Sequence, residues 1–209
     1  MIAIIDYGVG NLFSLKSSLG AIGEEAVVTR DESILDRADH IILPGVGAFG
    51  DAVQKLRDTG MFQAVLDQAA TGKPVLGICL GMQLLFEKSF EYGEHAGLDL
   101  IQGEVRDIRT VIPQNLAVPH MGWNGLHFPA DKPRSPIFAD LEEGEHVYFV
   151  HSFAGFDCKG QCTATTEYGA ELTAAVQNGN VYGTQFHPEK SGETGLKILK
   201  AFCRLEGKA

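Results

Sequence analysis

The run KPVLGICLGMQLLFE, Lys73 to Glu87, puts an apolar stretch, a cysteine between two glycines and a helix-forming stretch in direct succession. Val75, Leu76 and Ile78 suit a buried strand, and Leu80 to Phe86 are mostly good helix formers with no proline. Cys79 falls at the junction. Gly77 and Gly81, two residues to either side, suit a turn so tight that a β-carbon would strike neighbouring backbone, the pattern of a nucleophile elbow with sulfur in place of oxygen. The N-terminus of the following helix offers N–H groups and partial positive charge that favour a thiolate. Cys79 by itself reads equally as a buried, inert thiol.

A second motif lies near the other end. Val181 to His187 (VYGTQFH) reads as an apolar-rich strand running into Pro188 and Glu189. Proline stops the strand because it has no N–H. Glu189, two residues beyond His187, is placed to accept a ring N–H and fix the tautomer whose other nitrogen faces a thiol. Nucleophile, base and orienting acid then follow in the order Cys79, His187, Glu189.

Around these motifs, Met1 to Asp6 reads as a strand, followed by a glycine turn and a helix from about Asn11 with Leu12, Leu15, Leu19 and Ile22 on one face. The G-x-G-x-x-F at its start lacks the third glycine of a dinucleotide fingerprint and reads as a tight turn. Val27 to Thr29 and His40 to Leu43 are further strands, and helices are expected from about Phe49 to Asp58 and Met61 to Thr71. Strands alternating with helices imply a parallel sheet with right-handed crossovers. Pro44 to Gly50 (PGVGAFG) sets three glycines at the end of a buried strand, the edge where open α/β sheets bind ligands, and such a loop can turn N–H groups toward an anion. Beyond Glu87 the helical periodicity gives way to short β-rich runs at Gly103 to Thr110, Trp123 to Phe128, His146 to Val150, Gln161 to Tyr168 and Leu172 to Val176. These are expected as antiparallel strands extending the sheet, before a last helix capped by Ser191.

The chain has 209 residues, 44% hydrophobic and 21% charged, with a net charge of −10. One domain spanning 1–209 is expected. The acidic balance argues against a nucleic-acid groove or an anionic membrane surface. No apolar run approaches the roughly 20 residues of a membrane helix, and no basic leader precedes the first strand, so a cytoplasmic location is expected. The four cysteines are too few and scattered for a disulfide framework. Cys158 and Cys162 form a C-x-x-x-C without a second pair at finger-like spacing, so neither metal nor cofactor is expected.

GICLGMQ, FHPEKS and PGVGAFG together resemble the class I (triad-type) glutamine amidotransferases. DYGVGN at Asp6 to Asn11, HMGWN at His120 to Asn124 and YFVHSF at Tyr148 to Phe153 are similar to the glutaminase subunits of imidazole glycerol phosphate synthase, over nearly the whole chain. The resemblance implies an α/β fold with a mainly parallel central sheet flanked by helices and an antiparallel β extension. It implies that Cys79, His187 and Glu189 hydrolyse glutamine, that Leu80 and Val46 supply the N–H donors of an oxyanion hole, and that Gly47, Gln83, Glu91 and Ser152 bind the substrate. It also implies that His120, Met121, Trp123 and Asn124 lie beside the active site facing a separate (β/α)8-barrel cyclase subunit, which uses the ammonia in histidine biosynthesis. The alternatives are a glutaminase subunit serving purine, pyridoxal phosphate or anthranilate synthesis, against which HMGWN argues, and a cysteine peptidase-like α/β enzyme, against which the pairing of PGVG with a distal HPE argues.

Overall fold

A computed structural model describes residues 1–207, so the last two residues of the expected 1–209 domain lie outside the described ones. The first half alternates β1 (Ile2–Ile5), α1 (Leu12–Ala21), β2 (Ala26–Thr29), α2 (Glu32–Arg37), β3 (His40–Leu43), α3 (Phe49–Asp58), α4 (Met61–Ala70) and β4 (Val75–Ile78). After a five-residue α5 (Leu80–Leu84) come β5 (Phe86–Ser89), β6 (His95–Ala96), β7 (Ile101–Asp107), β8 (His120–Gly125), β9 (His146–His151), β10 (Phe153–Phe156), β11 (Cys162–Glu167), β12 (Glu171–Asn178), β13 (Val181–Thr184) and α6 (Gly192–Cys203).

The main sheet has seven strands in the order β11-β12-β13-β4-β3-β1-β2. Its five strands from β13 to β2 are parallel, and β11 and β12 add an antiparallel edge. Every residue of β1, β3, β4 and β13 is buried, as strands covered on both faces must be. Alternation divides them between two apolar layers. Ala3, Ile5 and Val75 pack on one side with α3 and α4, whereas Ile2, Ile4 and Leu76 pack on the other with α1 and α6.

Two expectations need correcting. The β-rich second half does not all extend this sheet: only β11 and β12 do. β7 and β10 join β5 and β6 in a second, four-stranded sheet of order β10-β7-β5-β6, and β8 and β9 form a separate two-stranded ribbon. The helix after Cys79 is also shorter than its sequence allows. Its last turn is met by the chain at 97–101, whose Leu98 N–H donates to the Leu84 carbonyl (2.8 Å), while Leu100 and Ile101 donate to that of Leu85 (both 2.9 Å). Those partners satisfy the carbonyls that a continuing helix would use, and Phe86 enters β5 instead.

α2 was not foreseen; six residues are too few to show a helical period, although Asp31 caps it through Ser33 N–H. Ser191 precedes the last helix as expected but does not cap it with its side chain. Its hydroxyl donates to the His187 carbonyl (2.6 Å) and accepts from Tyr148 N–H (2.9 Å).

Candidate active site

β4 and β13 are parallel neighbours, with Gly77 opposite Gly183 and Thr184 opposite Ile78. Their C-terminal ends therefore leave the sheet at the same edge, and the residues just beyond them are Cys79 and the segment Gln185 to His187. Cys79 N–H donates to the Thr184 carbonyl at 2.7 Å, which ties the two exits together.

Cys79 has φ 55 and ψ −112, a strained conformation for a side-chain-bearing residue. The glycines around it make this geometry possible. A β-carbon on Gly81 would lie 1.9 Å from the Leu43 carbonyl oxygen, and one on Gly77 would lie 2.6 Å from that of Gly81. Gly45 of the glycine loop is equally confined, because its β-carbon would come within 2.6 Å of Gly81 N. The loop after β3 is thus pressed against the elbow.

His187 Nδ1 is 2.8 Å from Glu189 Oε1, and both side chains are 3% exposed. Burial works against charge on the ring, but hydrogen bonds and charge attraction from Cys79 and Glu189 outweigh it and push the His187 pKa up to about 9. Glu189 and the Cys79 sulfur thus both favour the protonated form of the ring. Cys79 Sγ also lies 3.9 Å from both the Val150 carbonyl and Gln185 Nε2.

These groups open on a cavity of about 370 Å³ lined by Val46, Gly47, Cys79, Leu80, Gln83, Glu91, Ser152 and His187, together with Pro119, Val150, His151, Phe153 and Lys190. Nine of the thirteen positions singled out in the sequence are thus brought together, since Glu189 joins through His187. Gln83 is buried and donates to the Phe153 carbonyl (2.9 Å) and to Gln185 Oε1 (3.1 Å), so its amide is already engaged by protein. Glu91 is buried too, and its Oε2 accepts Phe49 N–H at 2.7 Å. Among the described residues no cluster of three or more His, Cys, Asp or Glu side chains is arranged as a metal site.

The HMGWN stretch divides by strand alternation. Met121 and Trp123 are 60% and 54% exposed, Asn124 is half-buried, and His120 is wholly buried. His120 is therefore no surface contact, which corrects the expectation for that residue. Its Nδ1 is 2.9 Å from His151 Nε2, its Nε2 is 2.8 Å from Asn124 Oδ1, and its ring stacks on Phe149 and Tyr168. His151, Gln185 and Lys190 were missed in the sequence. All three lie inside the motifs above, but without their neighbours in space nothing marked His151 and Lys190 as lining the cavity, or Gln185 as lying 3.9 Å from the Cys79 sulfur.

Fold and site define the class as a glutamine amidotransferase of class I: the family model of that description matches residues 3–205. Solved structures agree on the fold, with TM-scores of 0.73 for a glutamine amidotransferase (19% identity, 97% of this chain and 100% of that one) and 0.70 for PurLQS from Thermotoga maritima (21% identity, 97% and 96%). Two relatives are each called imidazole glycerol phosphate synthase subunit HisH. One, from Wolinella succinogenes, is 46% identical over 98% of this chain and 100% of its own length; the other, from Sulfurimonas denitrificans, is 48% identical over 98% of both. The chain belongs to this family of HisH subunits of imidazole glycerol phosphate synthase.

Proposed function

We propose that the cavity at Cys79 hydrolyses glutamine to glutamate and ammonia, and that the ammonia passes to a (β/α)8-barrel cyclase subunit making imidazole glycerol phosphate and an aminoimidazole carboxamide ribotide in histidine biosynthesis. The observation that carries this reading is the buried Cys79, His187 and Glu189 group at the common exit of two parallel strands, open to a cavity of about 370 Å³.

Cys79 sulfur attacks the side-chain amide carbon, with the charged His187 ring as counter-ion to a thiolate. The tetrahedral oxyanion is held by the N–H of Leu80, at the start of α5, and by that of Val46. His187 then gives its proton to the departing ammonia, and the γ-glutamyl thioester forms as the C–N bond breaks. Water attacks the thioester carbon as His187 takes its proton, and cleavage of the C–S bond releases glutamate and restores the Cys79–His187 pair to its starting state. Glu189 accepts the other ring N–H throughout. Glu91 pairs with the substrate α-ammonium, while Gly47, Gln83 and Ser152 shape the remaining walls.

Met121 and Trp123 project from β8 beside the cavity, large exposed apolar groups of the kind favoured at protein interfaces. We assign them to the cyclase contact, with Asn124 behind them. Phe86, Ile101 and Val105 of the second sheet share one core with β1 and β3, which supports a single domain. No helix among the described residues is long and apolar enough to cross a membrane. The test is ammonia release from glutamine by the chain mixed with its cyclase. Failure to release it would return the site to the cysteine peptidase-like reading.

A further inference from the structure

Ala48, which precedes the first residue of α3, caps nothing with its methyl side chain. The cap comes from 42 positions away: Phe49 N–H donates to Glu91 Oε2 at 2.7 Å. Glu91 is held in turn, because its own N–H donates to the hydroxyl of the fully buried Ser89 (3.1 Å). A carboxylate on a helix N-terminus is charge-assisted and favoured by the helix dipole.

The position of Phe49 gives this bond its interest. Between β3 and α3 run Pro44 to Ala48. The near end of that loop is fixed by Tyr7 OH, which donates to the Pro44 carbonyl (2.7 Å), and by Gly45, which has no room beside Gly81. The far end is fixed by Glu91. Between the two anchors, Val46 is 42% exposed, and Gly47 has φ 98 with nothing within 4 Å of its β-carbon position. The freedom of the loop is thereby confined to the peptides around Val46 and Gly47. Glu91, Val46, Gly47 and Cys79 all line one cavity.

We propose that Glu91 is a positioning residue for the oxyanion loop as well as a contact for substrate: by capping Phe49 it sets the far end of Pro44–Ala48 and so the reach of the Val46 N–H toward the reacting carbonyl. This rests on the assignment of Glu91 to the substrate α-ammonium. One carboxylate then serves two donors, and arrival of the ammonium is transmitted to the loop through the bond to Phe49. The site thereby links holding the amino-acid end of glutamine to the stabilisation of the oxyanion at its other end.

Two substitutions separate the roles. Glu91→Gln keeps an oxygen for Phe49 N–H but lacks the charge that pairs with an ammonium, whereas Glu91→Ala keeps neither. In the complex with the cyclase, both raise the KM for glutamine about thirtyfold or more, as expected when one partner of a desolvated charge pair is removed. Glu91→Ala additionally lowers kcat about fivefold below that of Glu91→Gln, the scale of a lost helix cap. Hydrogen exchange at the Phe49 amide supplies a readout independent of turnover: Glu91→Ala accelerates it about fivefold or more, and Glu91→Gln by less. Equal kcat in the two variants, or a Phe49 amide as protected in Glu91→Ala as in the wild type, overturns the positioning role. A KM unmoved in both variants instead removes the ammonium assignment on which the proposal rests.

Discussion

Cys79 occupies a backbone conformation that most residues avoid, and the strain is maintained because Gly77, Gly81 and the Thr184 carbonyl leave the chain no alternative. Replacing Cys79 by alanine removes the nucleophile while keeping a Cβ already accommodated. Glutamine-dependent synthesis in the complex should fall by at least about a thousandfold while synthesis from added ammonium salts persists. Equal loss of both activities would show that the two half-reactions are not separate. The histidines make stability depend on pH in opposite senses. His187 has a folded pKa of about 9 against an ordinary 6.5, so its contribution is complete below pH 6.5 and is lost as pH rises through 9. Burial lowers the pKa of His151 to about 3, so this residue must charge on unfolding in acid, and its contribution is lost as pH falls from 6.5 toward 3. Urea midpoints measured across pH should therefore peak near neutrality, and His187→Asn should flatten the alkaline side, with a smaller change on the acid side because the His187 charge also helps to lower the His151 pKa.

Among the elements, the turn between β4 and α5 tolerates least. Gly81→Ala would set a methyl 1.9 Å from the Leu43 carbonyl oxygen, a backbone atom with no flexibility to yield. It should cost more than about 3 kcal/mol and show as a large fall in melting temperature or in folded yield. Gly45→Ala belongs to the same class, since it strikes Gly81 N; loss of activity there would report on the elbow as much as on the loop. Gly47→Ala is different. It meets no atom, and its cost is the left-handed φ of 98 alone, on the order of 1 kcal/mol, so the variant should fold and reveal whether loop conformation limits turnover.

At the scale of the whole molecule, β8 pairs with β9, whose Val150 and His151 line the cavity. Trp123 rests edge-on against Tyr148 of β9, with ring centres 5.9 Å apart, which holds a large apolar side chain ready at the surface. Trp123→Ala should weaken cyclase binding by about 2 kcal/mol, roughly thirtyfold in Kd, with little change in the melting temperature of the isolated chain. Titration by calorimetry or fluorescence checks this. The isolated chain should release ammonia slowly and be activated by docking, because a single misdirected oxyanion donor is worth about 3 to 4 kcal/mol. The peptides around Val46 and Gly47 have the freedom to supply that difference. Equal rates for the free chain and the liganded complex would remove the need for any such switch.

The sequence by itself determined the parts that short-range chemistry specifies. Gly77 marks a turn by itself, because the clash it avoids is with the Gly81 backbone only four residues on, whereas the clash that Gly81 avoids, with the Leu43 carbonyl, exists only in the folded sheet. Strands buried on both faces show as unbroken apolar runs, and this made β1, β3 and β4 legible, and with them the parallel sheet. Tertiary structure decided what depends on partners distant in the chain. A strand-like run shows that it will pair but not with what, so the division of the second half into a sheet edge, a second sheet and a ribbon was not readable. The helix after Cys79 stops at Leu84 because residues 97–101 take up its carbonyls, against the propensity of Leu85 and Phe86. His120 lies inside while Met121 and Trp123 lie outside because the pairing of β8 with β9 settles which side of the ribbon is covered. The Glu91 bond to Phe49 likewise joins two positions that no local pattern connects, since its energy appears only once the second sheet packs beside α3.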